Sequence, residues 1–229
     1  MAKTTRTATK TATKKSAPAK AAPAKKAASK SAPAGRATAS KSAAPRATAA
    51  RSNGRQSAGS FDEASLLREL FIEELRDIYW AEKHLTKALP KMRKAATNPE
   101  LASAFENHLA QTEEQISRVE EVFGIMGEPA RAKKCEAMEG LVKEAQQGIE
   151  DTPKGSNVRD AALIICAQKV EHYEIAAYGS LAQLAKTLGE NEVAQLLGET
   201  LEEEKQTDEL LTELAVSGIN ISASQESED

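Results

Sequence analysis

The stretch DAALIICAQKVEHYEIAAYGSL, residues 160–181, predicts a long helix whose apolar face contains a carboxylate. At about 100° per residue, Val170 and Tyr178 fall on one face of this helix with other apolar side chains. Glu174 lies in the middle of that face, and Glu171 lies one turn earlier at its edge. A carboxylate in apolar surroundings is costly unless it is paired, hydrogen-bonded or bound to a metal. What surrounds Glu174 therefore decides what this helix does.

The formal net charge of −3 conceals two segments of opposite charge. Residues 1–60 contain nine Lys, five Arg and neither Asp nor Glu, whereas the rest of the chain has 17 basic and 34 acidic residues. The first segment carries +14 and the second −17. No Leu, Ile, Val, Phe, Trp or Tyr precedes Phe61. Because such a segment cannot bury enough apolar surface to offset its ordering entropy, residues 1–59 are predicted to be a disordered Lys/Ala/Pro-rich tail.

The basic tail predicts non-specific contact with DNA or RNA. Spaced Lys and Arg side chains neutralise phosphates and release counterions, and they do so without reading sequence. A solubilising tail and a contact with the acidic part of the same molecule are the alternatives. The candidate phosphate contacts are Lys14, Lys15, Lys25, Lys26, Arg36, Arg46 and Arg51.

Several function classes leave no signature in the sequence. Cys135, expected at the surface, and Cys166, expected in the core, are too few for a disulfide framework, and no Cys/His cluster indicates a zinc site. No apolar run approaches the ~18 residues of a membrane span, and the amino terminus lacks the apolar core of a secretory signal. We therefore expect a cytoplasmic protein, associated with the nucleoid if its tail binds DNA. Without a nucleophile elbow or phosphate loop, no catalytic side chain is assigned, and any redox activity would depend on a metal.

Helix signals occur throughout the remainder of the chain, and no segment has the alternation of a strand. Ser60 and Glu63 have the capping-box spacing, and Asn98-Pro99 places an N-cap before a proline at the first helical position. Pro90 predicts a kink or a separate short segment at the end of the first helix. The long helices are predicted over about 60–95, 99–123, 157–188 and 190–217.

The order of these helices predicts an all-α, ferritin-like four-helix bundle. Two long helical hairpins are joined by a connection over residues 130–156, and this connection contains one short amphipathic helix, CEAMEGLVKEAQQGIE. Hairpins joined by one long crossover are typical of ferritin-like folds. The predicted organisation is a basic tail over 1–59, the bundle over 60–218 and a polar carboxy-terminal tail over 219–229.

Each long helix carries a carboxylate or an imidazole on its apolar face. In the first helix Glu74 is central, and Asp77 and Glu82 flank the apolar stripe on opposite sides. One buried polar residue is common, whereas a recurrence on four helices indicates a shared site. On the other three helices the residues are His108 with Thr112, Glu174 with Glu171, and Glu204 with Asp208.

Depth along the bundle is an independent indication that these residues meet. Glu174 lies fifteen residues before Gly189 and Glu204 lies fifteen after it, so an antiparallel hairpin places them at equal height. Glu82 and His108 are at nearly equal distances from the turn of the first hairpin. These four residues are predicted to form one layer. Asp77, Glu171 and Asp208 fall in neighbouring turns.

Carboxylates and an imidazole facing inward from four helices indicate a pair of iron or manganese ions, because oxygen ligands with imidazole suit both metals. The alternative is a metal-free polar layer of protonated Glu, hydrogen-bonded with His108, Thr112, Tyr79 and Tyr178. The sequence lacks the two Glu-x-x-His motifs that are usual in di-iron bundles. The candidate metal ligands are Asp77, Glu82, His108, Glu171, Glu174, Glu204 and Asp208.

The stretches YWAEKHLTKALPKM, HLAQTEEQI, VRDAALIICAQKVEHYEIAAYGSLAQLA and LEEEKQTDELLTELA resemble the YciF-like bacterial stress proteins of the ferritin-like superfamily. The resemblance covers roughly residues 62–217. It implies a five-helix monomer that forms a homodimer in the cytoplasm and takes part in stress responses. The expected function is iron or peroxide detoxification near DNA. A metal-free dimeric scaffold or nucleoid-associated protein is the alternative.

Overall fold

Helices form nearly all of the chain that the computed structural model describes, residues 63–227. The prediction of an all-α bundle is confirmed, and within this range the structure contains no strand. The tail over 1–59 and its candidate phosphate contacts lie outside the described residues. The helices are α1 (Glu63–Ala95), α2 (Pro99–Ile125), α3 (Glu136–Asp151), α4 (Asn157–Leu188), α5 (Asn191–Leu214) and α6 (Asn220–Ser224), with a π-helical turn (Ala215–Ile219) between α5 and α6.

The bundle consists of two hairpins, α1 with α2 and α4 with α5, and α3 occupies the crossover between them. In all four long helices the buried positions recur at alternating spacings of four and three residues. This period of 3.5 residues is typical of a left-handed bundle. In α1 the repeat is Phe71, Leu75, Ile78, Glu82, Leu85, Leu89 and Met92; in α4 it is Asp160, Ile164, Ala167, Glu171, Glu174, Tyr178, Leu181 and Ala185.

The turns form where the sequence predicts them. The side chain of Asn98 caps α2 by accepting hydrogen bonds from the backbone N–H groups of Glu100 at 2.8 Å and Leu101 at 3.1 Å. Gly189 ends α4 with φ +82°, a left-handed conformation that glycine adopts without a Cβ clash. These two turns fix the relative heights of the helices in each hairpin.

The start of α4 is tied to the turn of the first hairpin by a buried carboxylate. Asp160, at the start of α4, accepts hydrogen bonds from the backbone N–H groups of Thr97 at 2.7 Å and Asn98 at 2.8 Å. Its neighbour Arg159 donates to the carbonyl oxygen of Ile149 at 2.8 Å. This bond supplies a partner for one of the last carbonyl groups of α3, which have none within the helix. The two hairpins are therefore held at a defined height relative to each other.

Three sequence predictions differ from the structure. α1 runs continuously through Pro90 to Ala95, so a separate segment is excluded, and the alternative of a kink at Pro90 stays a prediction. Helical structure continues to Ser224, beyond the predicted bundle limit at residue 218, because Gly218 lies within the π-helical turn and buried Ile219 anchors it. Cys135 is buried rather than at the surface, and its Sγ accepts from the N–H of Met138 at 3.3 Å as the N-cap of α3.

None of the helices in residues 63–227 combines the length and the apolarity that a membrane span requires.

Candidate metal centre

The four long helices bring five ionisable side chains together in the middle of the bundle. Glu82 comes from α1, His108 from α2, Glu171 and Glu174 from α4, and Glu204 from α5. Each occupies a position of the 3.5-residue repeat that is mostly apolar elsewhere in the bundle, and each is at most 4% exposed. The 3.5-residue repeat of the helices therefore places these side chains in the interior, although ionisable side chains are usually exposed to water.

Four of these side chains lie close enough to share a cation. His108, Glu171, Glu174 and Glu204 each offer one ligand atom, and these atoms all lie within 4.8 Å of one another. The Nε2 atom of His108 is 3.4 Å from Oε1 of Glu171 and 3.9 Å from Oε2 of Glu204. Glu82 is not part of this group of four, but the charge of Glu204 acts on it. It therefore flanks the group from α1.

Many polar atoms of this cluster have no hydrogen-bond partner among the described residues. A buried polar atom without a partner costs free energy, and such atoms are rare in folded proteins. Six within one cluster could be satisfied together by a shared cation. The unpartnered atoms are Oε2 of Glu82, Nε2 of His108, Oε2 of Glu171, both carboxylate oxygens of Glu174 and Oε2 of Glu204.

Two of the carboxylates are oriented by neighbouring side chains. The hydroxyl of Tyr178 donates to Oε1 of Glu82, and the amide Nε2 of Gln115 donates to Oε1 of Glu204. In both cases one oxygen is held and the other has no partner. Hydrogen bonds to the outer oxygen of a carboxylate are a common means of orienting a metal ligand.

The bond from Gln115 belongs to a chain that reaches the protein surface. Gln115 also donates to Oε2 of Glu203 at 3.1 Å. Arg118 binds both oxygens of Glu203 at 2.9 Å and donates to the hydroxyl of Thr200 at 2.6 Å. The guanidinium and Glu203 thus form a neutral pair beside the cluster, and they fix the position of the Gln115 amide.

Burial and mutual repulsion disfavour the charged forms of these carboxyl groups. Burial is the largest cause that raises the pKa of Glu82, Glu171 and Glu174 well above the usual range. The carboxylate of Glu204 raises the pKa of Glu82 and Glu171 further, and Glu82 does the same for Glu174. A bound cation reverses this effect, because it stabilises the ionised forms. The four carboxylates together would balance the charge of two divalent ions.

The remaining two predicted ligands have other partners. Asp77 accepts a hydrogen bond from the hydroxyl of Tyr173 at 2.7 Å, and this hydroxyl lies 3.1 Å from Sγ of Cys135. Asp208 accepts from Gln168 at 3.2 Å and lies 3.3 Å from Nε2 of exposed His172. Neither aspartate belongs to the group of side chains that lie within ligand distance of one another. As metal ligands, both stay sequence predictions.

Two residues of the site differ from the prediction made with a wheel at 100° per residue. The wheel places Glu74 at the centre of the α1 stripe and Glu82 at its edge, whereas Glu82 is fully buried and Glu74 is exposed. Gln115 is absent from the predicted site, although it is fully buried against Glu204. The spacing of four and three residues identifies both Glu82 and Gln115, because it connects Ile78 through Glu82 to Leu85 and includes Gln115 in α2.

Comparison with known proteins identifies the family. Residues 66–224 match the family described as a domain of unknown function, DUF892. The chain is 52% identical to Protein YciF of Escherichia coli strain K12 over 155 residues, which cover 67% of this chain and 93% of YciF. The chain belongs to the DUF892 family. The resemblance to YciF-like stress proteins is thereby confirmed.

Three solved structures have a similar fold. The crystal structure of the E. coli stress protein YciF superimposes with a TM-score of 0.65, covering 67% of this chain and 97% of that one. YcfI from Rhodopseudomonas palustris is 41% identical with a TM-score of 0.62, covering 64% of this chain and 92% of YcfI. A Xanthomonas campestris protein (XCC3681) is 24% identical with a TM-score of 0.54, covering 70% of this chain and 97% of that one, and supports the fold alone.

Proposed function

We propose that the bundle binds two divalent iron or manganese ions between its four long helices, in a stress-response protein of the YciF type. The observation that carries this proposal is the set of six buried ligand atoms without partners, all in one cluster. Carboxylate oxygens with a single imidazole suit these metals better than soft-ligand metals. Glu171, Glu174, Glu204 and His108 would hold the ions, and Glu82 would complete the site from α1.

Ions of this kind supply one-electron redox chemistry when bound, so the proposed role is removal of iron or peroxide. The chain itself contributes the ligands, their orientation and the exclusion of water. Tyr178 and Gln115 each hold one carboxylate oxygen, which leaves the other oxygen directed to a ligand. Because all five site residues are at most 4% exposed, only small molecules could reach them without a local opening.

Metal analysis of the full chain purified without chelator tests this proposal. We expect two ions per chain, and we expect E174Q and E204Q to lose them because each removes an anionic ligand. Glu209 is exposed on the same helix as Glu204, and E209Q is the matched control that should retain both ions. Absence of bound metal from the unaltered protein after addition of Fe(II) or Mn(II) would contradict the proposal.

A metal-free dimeric scaffold or nucleoid-associated protein is the second candidate. The hydrogen bonds from Tyr178 and Gln115 favour it, since they already satisfy part of the carboxylate layer without any ion. With raised carboxyl pKa values, the layer would be protonated and would fix the helix register. In that case E174Q would leave both the structure and the function intact.

We also propose that the tail contacts DNA or RNA non-specifically and keeps the protein near the nucleoid in the cytoplasm. The +14 charge of residues 1–60 supports this role. Binding to a duplex should weaken steeply with salt, and a chain that begins at Ser60 should have a smaller salt slope. Equal affinity and equal slope for the two proteins would refute the role of the tail.

A homodimer is the proposed assembly. Large apolar side chains are exposed at Ile165, Val216 and Ile221, where a second copy could bury them. Light scattering coupled to gel filtration should give twice the chain mass of 24.5 kDa. I165E should shift the mass toward that of the monomer if this residue lies in the interface; a monomeric unaltered protein would refute the dimer.

A further inference from the structure

The second half of α1 carries a row of lysines on an otherwise acidic domain. Between Glu82 and Glu100 the sequence contains no acidic residue, whereas residues 61–229 together carry −17. The spacings of four, four and three residues place the lysines within about 80° of the helix circumference. We call this row the α1 ridge: Lys83, Lys87, Lys91 and Lys94, all exposed.

The lysines of the α1 ridge differ from most other lysines of the domain in their partners. Lys133, Lys134, Lys169 and Lys205 each lie within 3.2 Å of a carboxylate. Within residues 63–227, no carboxylate lies within 4.0 Å of a ridge lysine, although Lys83 donates to the hydroxyl of Tyr79 at 3.1 Å. Lys83 also lies over the ring of Tyr79, at 4.7 Å from its centroid, so the positive charge available to a partner is mainly that of Lys87, Lys91 and Lys94.

Stabilisation of the α1 carboxy terminus accounts for only one end of the ridge. Basic side chains in the last turn interact favourably with the helix dipole, and this explains Lys94 and its neighbour Arg93. The effect is confined to the last turn. Lys83 and Lys87 lie two to three turns earlier, so the helix dipole does not explain them.

A groove of about 270 Å³ between α1 and α3 extends the positive surface beside the ridge. Lys91 and Lys143 line this groove with His84, which stacks on Trp80 at a ring-centroid distance of 4.4 Å. Among residues 63–227, Glu139 is the only acidic residue in the lining of this groove.

The dimensions of the ridge suit a nucleic-acid backbone. The eleven residue steps from Lys83 to Lys94 span about 16 Å at 1.5 Å per residue. One DNA strand has about five phosphates along that length, because its phosphates are spaced about 3.4 Å apart along the helix axis. None of the large apolar side chains that are exposed in the described domain lies between residues 83 and 98. An amphipathic helix that binds a lipid surface buries such side chains, so a membrane fits this surface poorly.

We propose that the α1 ridge is a nucleic-acid surface of the folded domain, which contacts the phosphate backbone without reading sequence. Lys83, Lys87, Lys91 and Lys94 each neutralise a phosphate, and Lys143 extends the contact across the groove. This surface is independent of the metal centre. It is also separate from the tail, so the two can be tested apart.

Fluorescence anisotropy of a 20-base-pair duplex with the full chain over a NaCl series tests the ridge. The variant K87Q/K91Q/K94Q should lower the slope of log K against log salt by about two to three units, since each phosphate contact contributes about 0.9. The matched control K154Q/K186Q/K205Q removes the same charge elsewhere on the domain and should leave the slope within half a unit of the unaltered protein.

Two further comparisons separate the ridge from the tail and from misfolding. In the full chain with Lys14, Lys15, Lys25 and Lys26 changed to Gln, the ridge variant should lower the slope by the same amount. K87R/K91R/K94R keeps the charge and should keep the slope. Equal slopes for the ridge and control variants would overturn the proposal. The proposal would also be overturned if the ridge variant bound the duplex normally but no longer bound phosphatidylserine vesicles. The same holds if the ridge variant bound the duplex normally but lost a salt-sensitive self-association.

Discussion

The ends and the middle of the bundle share one helical repeat but differ in what that repeat carries. At the ends the buried positions are mostly apolar, with Phe71 and Phe123 at one end and Met92 and Leu101 at the other, and the buried Asp160 at the second end accepts two backbone hydrogen bonds. In the middle the same positions hold carboxylates, an imidazole and an amide. The ends account for the fold through apolar burial, whereas the middle opposes it through desolvated charge. Under the proposed metal binding, the bound cations would offset the cost of this charge.

The largest loss of stability should come from placing a carboxylate at an apolar buried position of the bundle. Leu85 is 2% exposed and lies one turn after Glu82 in the same repeat. L85E should lower the free energy of unfolding by about 4 kcal/mol or more, because the new carboxylate has no partner. Urea unfolding measures this loss, and T86E at the neighbouring, less buried position is the control. A loss below about 1 kcal/mol would mean that the two regions do not differ.

In metal-free protein the middle should make stability depend on pH. The raised pKa values of Glu82, Glu171 and Glu174 mean that the folded chain retains protons that the unfolded chain releases above about pH 4.5. The stability contributed by these groups is complete below that pH and is lost as the pH rises toward the folded pKa values. The loss is about 1.4 kcal/mol per pH unit for each proton retained.

Thermal unfolding with chelator between pH 5 and pH 8 measures this dependence. E82Q/E171Q/E174Q serves as the reference, because amides cannot release these protons while the rest of the chain still titrates. The unaltered protein should lose more stability than the reference as the pH rises. Parallel curves for the two proteins would show that the three carboxyl groups are not protonated in the folded state.

The converse substitution places an apolar side chain in the middle of the bundle. The double variant E82L/Y178F removes a buried carboxylate together with the hydroxyl that donates to it, and it should raise the stability of metal-free protein by about 1–2 kcal/mol, since replacing both partners of a buried polar pair with apolar groups is neutral to stabilising. The same variant should bind metal more weakly, because it loses a ligand. Urea unfolding with and without metal separates the two effects. Destabilisation in both conditions would indicate that Glu82 has a purely structural role.

The smallest effect should come from a residue that only orients a ligand. Q115L removes the hydrogen bond to Glu204 and should weaken metal binding by about tenfold, a typical effect of losing such support. Competition titration with a chelating dye measures the affinity. Q146L changes an exposed glutamine of α3 and is the control. Equal affinity for Q115L and the unaltered protein would exclude Gln115 from the site.

The sequence predicts the fold well because its determinants are local. The cap at Asn98, the left-handed Gly189 and the apolar repeats each depend on a few neighbouring residues. Equal distances from Gly189 also predict that Glu174 and Glu204 share a height. The structure brings both into the cluster with His108.

The sequence predicts the details of the site less well because two approximations fail. A wheel at 100° per residue drifts by about 20° per heptad from the line of contact between helices. Over the 33 residues of α1 this drift places Glu74 on the predicted buried face and Glu82 at its edge, whereas Glu82 is the buried residue. The apolar pattern of a single helix also does not predict which side chains of different helices contact each other. The bonds from Gln115 to Glu204 and from Tyr173 to Asp77 could not be deduced for this reason.

Anomalous diffraction from crystals grown with Mn(II) or Fe(II) would locate the proposed ions. We expect two peaks in the middle of the bundle, each about 2.0–2.3 Å from carboxylate oxygens or the imidazole nitrogen. The ligating atoms should include those of Glu174, Glu204 and His108 that have no hydrogen-bond partner. Well-ordered side chains bridged only by water, with no anomalous peak between them, would refute metal binding by this bundle.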